Sequence, residues 1–277
     1  MSRVRDYYQA NTWKFLLFGA EGAIHRELWA PGVTSKGEAV HHVHVLVLEE
    51  LRKVNSEGRA RVLDLGCGVG SAVLFLAERA PAQVYGVSLS PRQVALARRW
   101  AAMRQASLRG GCRFDEADFC ALPQALEAEI RGIDLAFSIE AFVHAESAGA
   151  FFAQVSRVLR PGGHLVIVDD FLADTARSDT PPLEDFRNGW QAHSLLRVPD
   201  LAALASSHGL TLAGSVDLSS FQRLGRPRDR LIHALRPVLR LVRRHSLWAE
   251  SLVGGDALQT SYRLGLLNYR LVRFEKG

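Results

Sequence analysis

The segment that most constrains the fold is Arg61-Val-Leu-Asp-Leu-Gly-Cys-Gly-Val-Gly70, in which three glycines follow a short apolar run. Glycine lacks a Cβ atom and accepts positive φ, so such a turn lets the backbone approach a ligand closely. A helical pattern follows, and the first amides of a helix point outward from its N-terminus. The segment therefore predicts a strand, a ligand-binding turn at Gly66, Gly68 and Gly70, and a helix.

The residues beside the turn narrow the choice of ligand. The spacing is GxGxG with Ser71 next, whereas dinucleotide-binding folds carry G-x-G-x-x-G and place a pyrophosphate on the helix amides. Asp64 precedes the turn, and a carboxylate there repels a pyrophosphate. The segment favours instead a ligand with a cationic amino-acid end, such as S-adenosylmethionine.

Short β-rich runs alternate with helical patterns through the middle of the chain, which is typical of βαβ units. Helices are predicted at about 69–79, 91–106 and 148–159, and Pro161-Gly-Gly163 stops the third. The predicted strands are 62–65, 83–88, 112–115, 133–138, 164–169, 210–218 and 268–276. We therefore expect an α/β fold with a Rossmann-like, doubly wound, seven-stranded sheet.

The chain outside this pattern is expected to form a cap, because a long connection without secondary structure is improbable in a compact domain. The prediction has four parts: an N-terminal helical cap at 1–60, a cofactor-binding core at 61–220, a helical, arginine-rich cap insertion at 221–266, and the final strand of the core sheet at 267–277.

Composition places the chain among ordinary globular proteins, with 48% hydrophobic and 23% charged residues. There is no apolar run of about 20 residues and no signal-peptide pattern at the N-terminus, so we expect a cytoplasmic protein without stable membrane insertion. Cys67, Cys112 and Cys120 have no metal-ligand spacing and are expected to be reduced. The cluster His41-His42-Val-His44 is interpreted as a solvated helix start, and no metal site is predicted.

The motif Val-Leu-Asp-Leu-Gly-Cys-Gly-Val-Gly resembles the first motif of the class I methyltransferases, and the resemblance continues to residue 171. Three further segments that look like theirs follow in the same order: Gly86-Val-Ser-Leu-Ser-Pro91, Glu116-Ala-Asp-Phe119 and Val158-Leu-Arg-Pro-Gly-Gly163. The resemblance implies S-adenosylmethionine as cofactor. It implies cofactor contacts from Asp64, Gly66, Cys67, Gly68, Ser88, Leu89, Gln93, Asp118, Phe119 and Glu140; Leu89 and Phe119 could instead be core residues.

The residue at the end of the second predicted strand indicates which branch of this family the chain resembles. Many members carry an acidic residue there that binds the ribose hydroxyls, whereas this chain has Ser88. A small hydroxyl residue at that place looks like the tocopherol-type and cyclopropane-synthase-type enzymes.

Two separate segments resemble the sterol C-methyltransferases. One is Ser138-Ile-Glu-Ala-Phe-Val-His-Ala145, after the fourth predicted strand. The other lies near the N-terminus and comprises Tyr7, Tyr8, Thr12, Phe15, Gly19, Gly22 and His25. Cyclopropane synthases carry a glutamate where this chain has Val143, so the resemblance implies methyl transfer without ring closure.

These segments supply five candidate catalytic residues: Glu140, His144, Tyr7, Tyr8 and His25. Methylation of an alkene carbon leaves a cation that needs aromatic rings or a carboxylate and then a base. Methylation of a hydroxyl needs a base such as His144 or His25, and an amine needs little beyond desolvation. As alternatives, Glu140 holds the cofactor's amino-acid end, the histidines are hydrogen-bonded scaffold, and the tyrosines only close the pocket.

The formal net charge is +5, and eight arginines lie between Arg223 and Arg244 against the single acid Asp229. Apolar residues within 224–245 recur at near-helical spacing, with Pro237 as a break. Three interpretations stay open for this basic amphipathic segment: a solvated helical face, a membrane-surface patch, or a pocket wall that binds an anionic group such as a diphosphate. No nucleic-acid partner is expected.

Together these features predict methyl transfer from S-adenosylmethionine to a hydrophobic small molecule, an isoprenoid, terpenoid or polyketide-like metabolite, with carbon favoured over oxygen or nitrogen. The alternative is a cyclase or isomerase of secondary metabolism that binds the same cofactor, with or without methyl transfer. The oligomeric state stays open.

Overall fold

The strands form a single sheet with one reversal of order. The computed structural model describes residues 25–55, 58–242 and 246–277, and within them the sheet order is β3-β2-β1-β4-β5-β7-β6, with β7 antiparallel to both its neighbours. The strands are β1 Arg61–Leu65, β2 Gln83–Ser88, β3 Gly111–Glu116, β4 Ile133–Ile139, β5 Leu159–Leu172, β6 Leu210–Asp217 and β7 Leu267–Lys276. The predicted seven-stranded α/β sheet is confirmed.

Nine α-helices accompany the sheet in the described ranges. They are α1 Lys36–Val54, α2 Ser71–Arg79, α3 Pro91–Met103, α4 Gln124–Ile130, α5 Ala148–Val158, α6 Pro181–Trp190, α7 Val198–Ser206, α8 Pro227–Val242 and α9 Leu247–Arg263. Helix α3 begins as its sequence predicts, because Ser90 accepts a hydrogen bond from the Gln93 amide and Pro91 occupies the first turn. None of these helices is long and apolar enough to cross a membrane.

Two apolar layers cover the sheet. Consecutive side chains of a strand point to opposite faces, so Val62 packs with α1 and α2 residues while Leu63 packs with residues of α5 and α7. Strand β1 pairs with β2 on one side and with β4 on the other. Connections leave β1 and β4 in opposite directions, which opens a crevice at the carboxyl ends of these strands.

Strand β5 is longer than its sequence predicts. Helix α5 ends at Val158 as expected, but the strand begins at Leu159 rather than after the glycines. Gly162 adopts φ +68°, and the pairing with β4 shifts between Ile133 and Leu135, so the glycines form an irregularity within the strand. Helices α4, α6 and α7 have no counterpart in the sequence predictions.

The interpretation of the histidine cluster as a solvated helix start is wrong. Ser35 and Glu38 form a capping box that starts α1, and His44 lies in the middle of the helix on its buried face. The His44 ring is fully buried, its Nδ1 lies 3.0 Å from Nδ1 of His41, and its ring centroid is 4.9 Å from that of His25. His44 shares helical spacing with the buried residues Val40, Val43 and Val47. Because histidine is polar, the sequence pattern did not indicate that its side chain is buried.

Helices α6, α8 and α9 form a layer beyond the carboxyl ends of the strands. Helices α6 and α9 approach each other so closely that a Cβ atom on Gly189 would lie 2.6 Å from the Gly254 Cα. Glycine at this position therefore permits the close packing of the two helices. The indole Nε1 of Trp190 donates a hydrogen bond of 3.1 Å to the Ser251 carbonyl. Helices α8 and α9 fall in the segment that the sequence predicts as a cap insertion.

Candidate functional site

The glycine turn after β1 adopts a backbone that favours glycine at each of its three positions. Gly66, Gly68 and Gly70 have φ of +104°, +54° and +85°. A Cβ atom on Gly66 would lie 2.5 Å from the Ala141 Cβ, in the loop after β4. The turn is anchored to the neighbouring strand, because the amides of Gly66 and Cys67 both donate to the Val87 carbonyl. This packing brings the loops after β1 and β4 into contact.

The loop after β2 supplies a small polar group beside the turn. The Ser88 hydroxyl donates a 2.9 Å hydrogen bond to Oε1 of Gln93, and the Ser90 amide donates to the Ser88 oxygen. The Gln93 side chain is buried, and its Nε2 has no hydrogen-bond partner. A buried amide donor without a partner is costly, so this atom is available to a ligand.

The loop after β3 forms the opposite wall. Oδ1 of Asp118 accepts a hydrogen bond from the Cys120 amide, and Phe119 packs edge-on against Phe151 with ring centroids 5.7 Å apart. Together the four loops line a cavity of about 190 Å³. Its walls include nine of the ten predicted cofactor residues: Gly66, Cys67, Gly68, Ser88, Leu89, Gln93, Asp118, Phe119 and Glu140.

Asp64, the tenth, does not line this cavity. Its side chain is buried at the end of β1, and desolvation raises the pKa of its carboxyl group well above the usual value.

Glu140 closes the cavity at the end of β4 in a rare backbone conformation, with φ +50°. Its Oε1 accepts hydrogen bonds from the Arg26 amide at 3.0 Å and from the Tyr269 hydroxyl at 2.8 Å. Such a conformation in a residue other than glycine persists only where its surroundings hold it. Glu140 is thus a fixed acceptor at the cavity wall.

Arg26 is the centre of a buried polar network around Glu140. Its guanidinium pairs in a fork with both carboxylate oxygens of Asp170 and donates to the Tyr262 hydroxyl at 2.9 Å. Its Cζ atom lies 4.8 Å from the ring centroid of Tyr269. Two carboxyl groups, those of Glu140 and Asp170, therefore share one guanidinium. The network formed by these three residues has more acidic groups than basic ones.

The network changes the ionisation of its members. Burial alone would lower the pKa of Arg26, but Asp170, Tyr262 and Glu140 raise it well above the usual value, so the cation is retained. Burial and the Asp170 charge raise the pKa of the adjacent Asp169 well above its usual range. Asp169 also accepts the Val143 amide at 2.9 Å, which fixes the loop that carries His144.

His144 is a buried imidazole in the turn Phe142–His144. Burial lowers its pKa to about 4, an effect that hydrogen bonds to the backbone of Gln191 and Trp190 and the Asp170 charge only partly oppose. The ring is therefore neutral at pH 7. Its Nδ1 lies 3.4 Å from the Gln191 carbonyl oxygen, and a carbonyl can only accept. We assign the proton of this contact to Nδ1.

His25 lies at the junction of two cavities. A second cavity of about 390 Å³ extends under α8 and α9, and it shares His25, Arg26, Glu140 and Trp190 with the first. Burial lowers the pKa of His25, and Glu140 opposes this only in part. Tyr7 and Tyr8 lie outside the described residues.

Sequence reasoning missed most of the polar network, namely Arg26, Asp169, Asp170, Tyr262 and Tyr269. The one available signal is Asp169-Asp170 at the end of a predicted parallel strand, where ligand-binding residues gather. Arg26 sits 144 residues from Asp170 and 236 residues from Tyr262, and no local pattern links them. In the described ranges, no group of three or more His, Cys, Asp or Glu residues is arranged to hold a metal ion.

Comparison with known proteins gives consistent relatives. A family model described as a methyltransferase domain matches residues 63–167. Methyltransferase GfsG of Streptomyces halstedii is 30% identical over 222 residues, which cover 79% of this chain and 77% of the relative. An O-methyltransferase of Pyrenophora dematioidea is 28% identical over 62% of each chain. A 24-methylenesterol C-methyltransferase 2 of Oryza sativa subsp. japonica is 31% identical over 57% of this chain and 43% of its own length.

Solved structures share the whole fold. The [4+2]-cyclase SpnF has a TM-score of 0.73 at 22% identity, covering 99% of this chain and 95% of that one. Geranyl diphosphate C-methyltransferase from Streptomyces coelicolor A3(2), in complex with Mg²⁺, geranyl diphosphate and S-adenosyl-L-homocysteine, has a TM-score of 0.69 at 16% identity, covering 99% and 96%. At these identities the likeness concerns the fold, which hosts more than one chemistry.

Proposed function

Since this chain belongs to the S-adenosylmethionine-dependent methyltransferases, we propose that it methylates a hydroxyl oxygen of a hydrophobic small molecule. One observation carries the choice of oxygen: the His144 imidazole lines the predicted cofactor cavity, where it can accept a proton. A hydroxyl is a poor nucleophile until a base accepts its proton. An amine acceptor would need no such base.

We further propose that the residues around the glycine turn hold the cofactor. Gln93 Nε2, a buried donor without a partner, suits a ribose hydroxyl, and the Ser88 hydroxyl fixes the orientation of that amide. The Phe119 ring and the Asp118 carboxylate suit the adenine, while Gly66 and Gly68 allow the backbone to approach the amino-acid end. Asp64 does not line the cavity, so it would affect cofactor binding only indirectly, through the position of the glycine turn that follows it. When bound, the cofactor supplies an electrophilic methyl group on a sulfonium.

The chain's own contribution to the reaction is position and proton transfer. The two cavities share His25, Arg26, Glu140 and Trp190, so an acceptor under α8 and α9 would reach the cofactor cavity there. Holding two reactants in line can contribute about 7–11 kcal/mol to the acceleration. His144, in the wall of the cofactor cavity, would then accept the hydroxyl proton of an acceptor that reaches from the second cavity into the first. The apolar side chains of the cap would exclude water that competes as acceptor.

The acceptor cavity combines apolar and charged walls. Ile232, Leu252 and Leu258 supply apolar surface, and the charged residues are four arginines, Arg26, Arg223, Arg226 and Arg228, and four acids, Glu27, Glu140, Asp229 and Asp256. Arg226 is already paired with Glu27 at 2.8 Å. This lining suits an elongated polyketide-like or isoprenoid molecule with a polar end, and an anionic end such as a diphosphate would compete with the acids for the arginines. A cytoplasmic location, expected from the sequence, stays a prediction.

Carbon methylation, which the sequence favours, is the second candidate. It is supported by the excess of carboxylates over guanidinium in the network of Glu140, Asp170 and Arg26, because negative charge stabilises a carbocation. The rings of Trp190 and Tyr262 line the acceptor cavity and would face such a cation.

Replacement of the proposed base tests the choice between these acceptors. We expect His144→Ala to lower kcat by about 10²- to 10⁴-fold, with S-adenosylmethionine affinity unchanged in calorimetry. His208→Ala is the matched control, because His208 lies after α7, remote from the cavities, and it should leave kcat unchanged. A kcat of the His144 variant within threefold of the wild type contradicts the role of His144.

The pH dependence of kcat gives an independent check. The folded pKa of His144 is lowered to about 4, so the basic form is present above that pH and is lost as the pH falls through it. We expect the kcat contribution of this group to be constant between about pH 5.5 and 8. A loss of kcat centred near pH 6.5, the ordinary histidine value, is the contrary result.

A further inference from the structure

The outward face of helix α8 is an exposed stripe of apolar side chains. Leu231, Leu235, Val238, Leu241 and Val242 recur every three or four residues and thus lie on one face of the helix. All five are exposed, and Leu241 is 80% accessible. They make up five of the twelve large exposed apolar side chains among the described residues. A contiguous patch of this kind marks an interaction surface.

The opposite face of α8 already has a partner. Leu239 is buried, and it packs with Ile232 against Val253 of α9. On that side Arg236 pairs with Asp256 at 3.4 Å, and Arg240 pairs with Asp185 of α6. The helix is therefore held to the protein by its other side, and the stripe is free to contact something else.

Positive charge flanks the stripe. On a helical projection Arg228 lies on one edge and Arg230 on the other, and Arg230 is exposed and donates to the Gly225 carbonyl. The only acid in α8, Asp229, accepts the Arg226 amide at 3.0 Å. The sequence continues with Arg243 and Arg244, which lie outside the described residues.

We propose that this stripe docks the protein reversibly on an anionic lipid surface. A single helix that presents leucine and valine on one side and arginine at its edges can place its apolar face among acyl chains while an exposed arginine such as Arg230 meets lipid phosphates. A second copy is disfavoured, because a symmetric contact would set the arginines of one α8 against those of the other. The stripe is convex rather than a groove, which disfavours an acidic protein helix as occupant.

The position of α8 gives this docking a use that rests on the proposed function. Arg228 and Ile232, in the first turns of α8, line the acceptor cavity, as does Arg226 just before the helix. A protein docked by this helix would hold that cavity close to the lipid layer, into which a hydrophobic acceptor partitions. The docking itself does not depend on the identity of the acceptor.

Vesicle sedimentation with the full chain tests the proposal. We expect binding to vesicles of phosphatidylglycerol and phosphatidylcholine, weaker binding in high salt, and little binding to phosphatidylcholine alone. The double variant Leu235→Asp and Leu241→Asp should reduce the partition coefficient by about tenfold or more. Leu264→Asp is the matched control, since Leu264 is 61% exposed but lies after α9, and its binding should equal the wild type.

Several outcomes overturn the proposal. These are an absence of binding to the anionic vesicles, equal binding to both vesicle types, and full binding of the double variant. Light scattering without lipid distinguishes a second copy: a dimer that the double variant abolishes would assign the stripe to self-association. Thermal unfolding and S-adenosylmethionine affinity of the double variant should match the wild type. Loss of methyl transfer without loss of vesicle binding would instead count against the proposed function alone.

Discussion

The two sides of the site are built from different kinds of contact. The cofactor side consists of loops at the ends of neighbouring strands, and its geometry comes from backbone: positive φ at three glycines and amides bonded to Val87. The polar network between the two cavities joins Arg26, Glu140, Asp170, Tyr262 and Tyr269, which are far apart in sequence and held by charge and burial. The first kind of site is specified locally, whereas the second exists only after the whole chain has folded.

The largest expected effect is on the polar network. Arg26→Ala would leave Asp170, a side chain that is 1% exposed, without its bidentate partner, and breaking a buried pair in this way costs about 3–5 kcal/mol. Urea denaturation should show this loss of unfolding free energy. Arg177→Ala, which breaks the exposed pair with Asp179, is the control and should leave the midpoint unchanged. Equal midpoints for the two variants would show that the network does not hold the fold together.

The next effect is on the glycine turn. Gly66→Ala places a side chain at φ +104° and 2.5 Å from the Ala141 Cβ, so we expect a loss of about 1–3 kcal/mol in stability and at least tenfold weaker S-adenosylmethionine binding. Gly132→Ala is the matched control, with φ +80° but no atom within 4 Å of the added Cβ. It should cost stability only, with unchanged cofactor affinity in calorimetry. Similar affinities for both variants would contradict the role of the close approach.

The smallest expected effect tests whether cofactor binding and acceptor binding depend on separate residues. Gln93→Leu keeps the size of the side chain but removes the buried Nε2 donor, and one hydrogen bond is worth about 0.5–1.5 kcal/mol. We expect S-adenosylmethionine affinity to fall by about three- to tenfold, with the KM for the acceptor unchanged. A change in acceptor KM of the same size would mean that Gln93 serves both sides.

The contrast also explains what could be predicted from the sequence. The strands along the chain and the glycine turn were accessible because periodicity and short motifs are local properties. Nine of the ten cofactor residues that the family resemblance implies line one cavity. Arg26 was missed although it follows His25 directly, because its partners lie 114 to 236 residues away.

Helix α8 shows a different limit of sequence reasoning. Its apolar spacing was recognised, but the spacing cannot say which apolar residues face the protein. In the structure only Leu239 is buried, whereas Leu231, Leu235 and Leu241 face outward. The choice depends on the acids that anchor the helix, Asp185 and Asp256, which belong to other elements.

In the proposed reaction the methyl group moves to a hydroxyl oxygen with His144 as base. The most direct measurement incubates the wild-type protein with ¹³C-methyl S-adenosylmethionine and hydrophobic alcohols, phenols and alkenes, and records the ¹³C chemical shift of the transferred methyl. We expect a methoxy signal, one S-adenosylhomocysteine released per product, and loss of both in His144→Ala. Label on carbon would select the second candidate. A cyclised or isomerised product without S-adenosylhomocysteine would contradict methyl transfer itself.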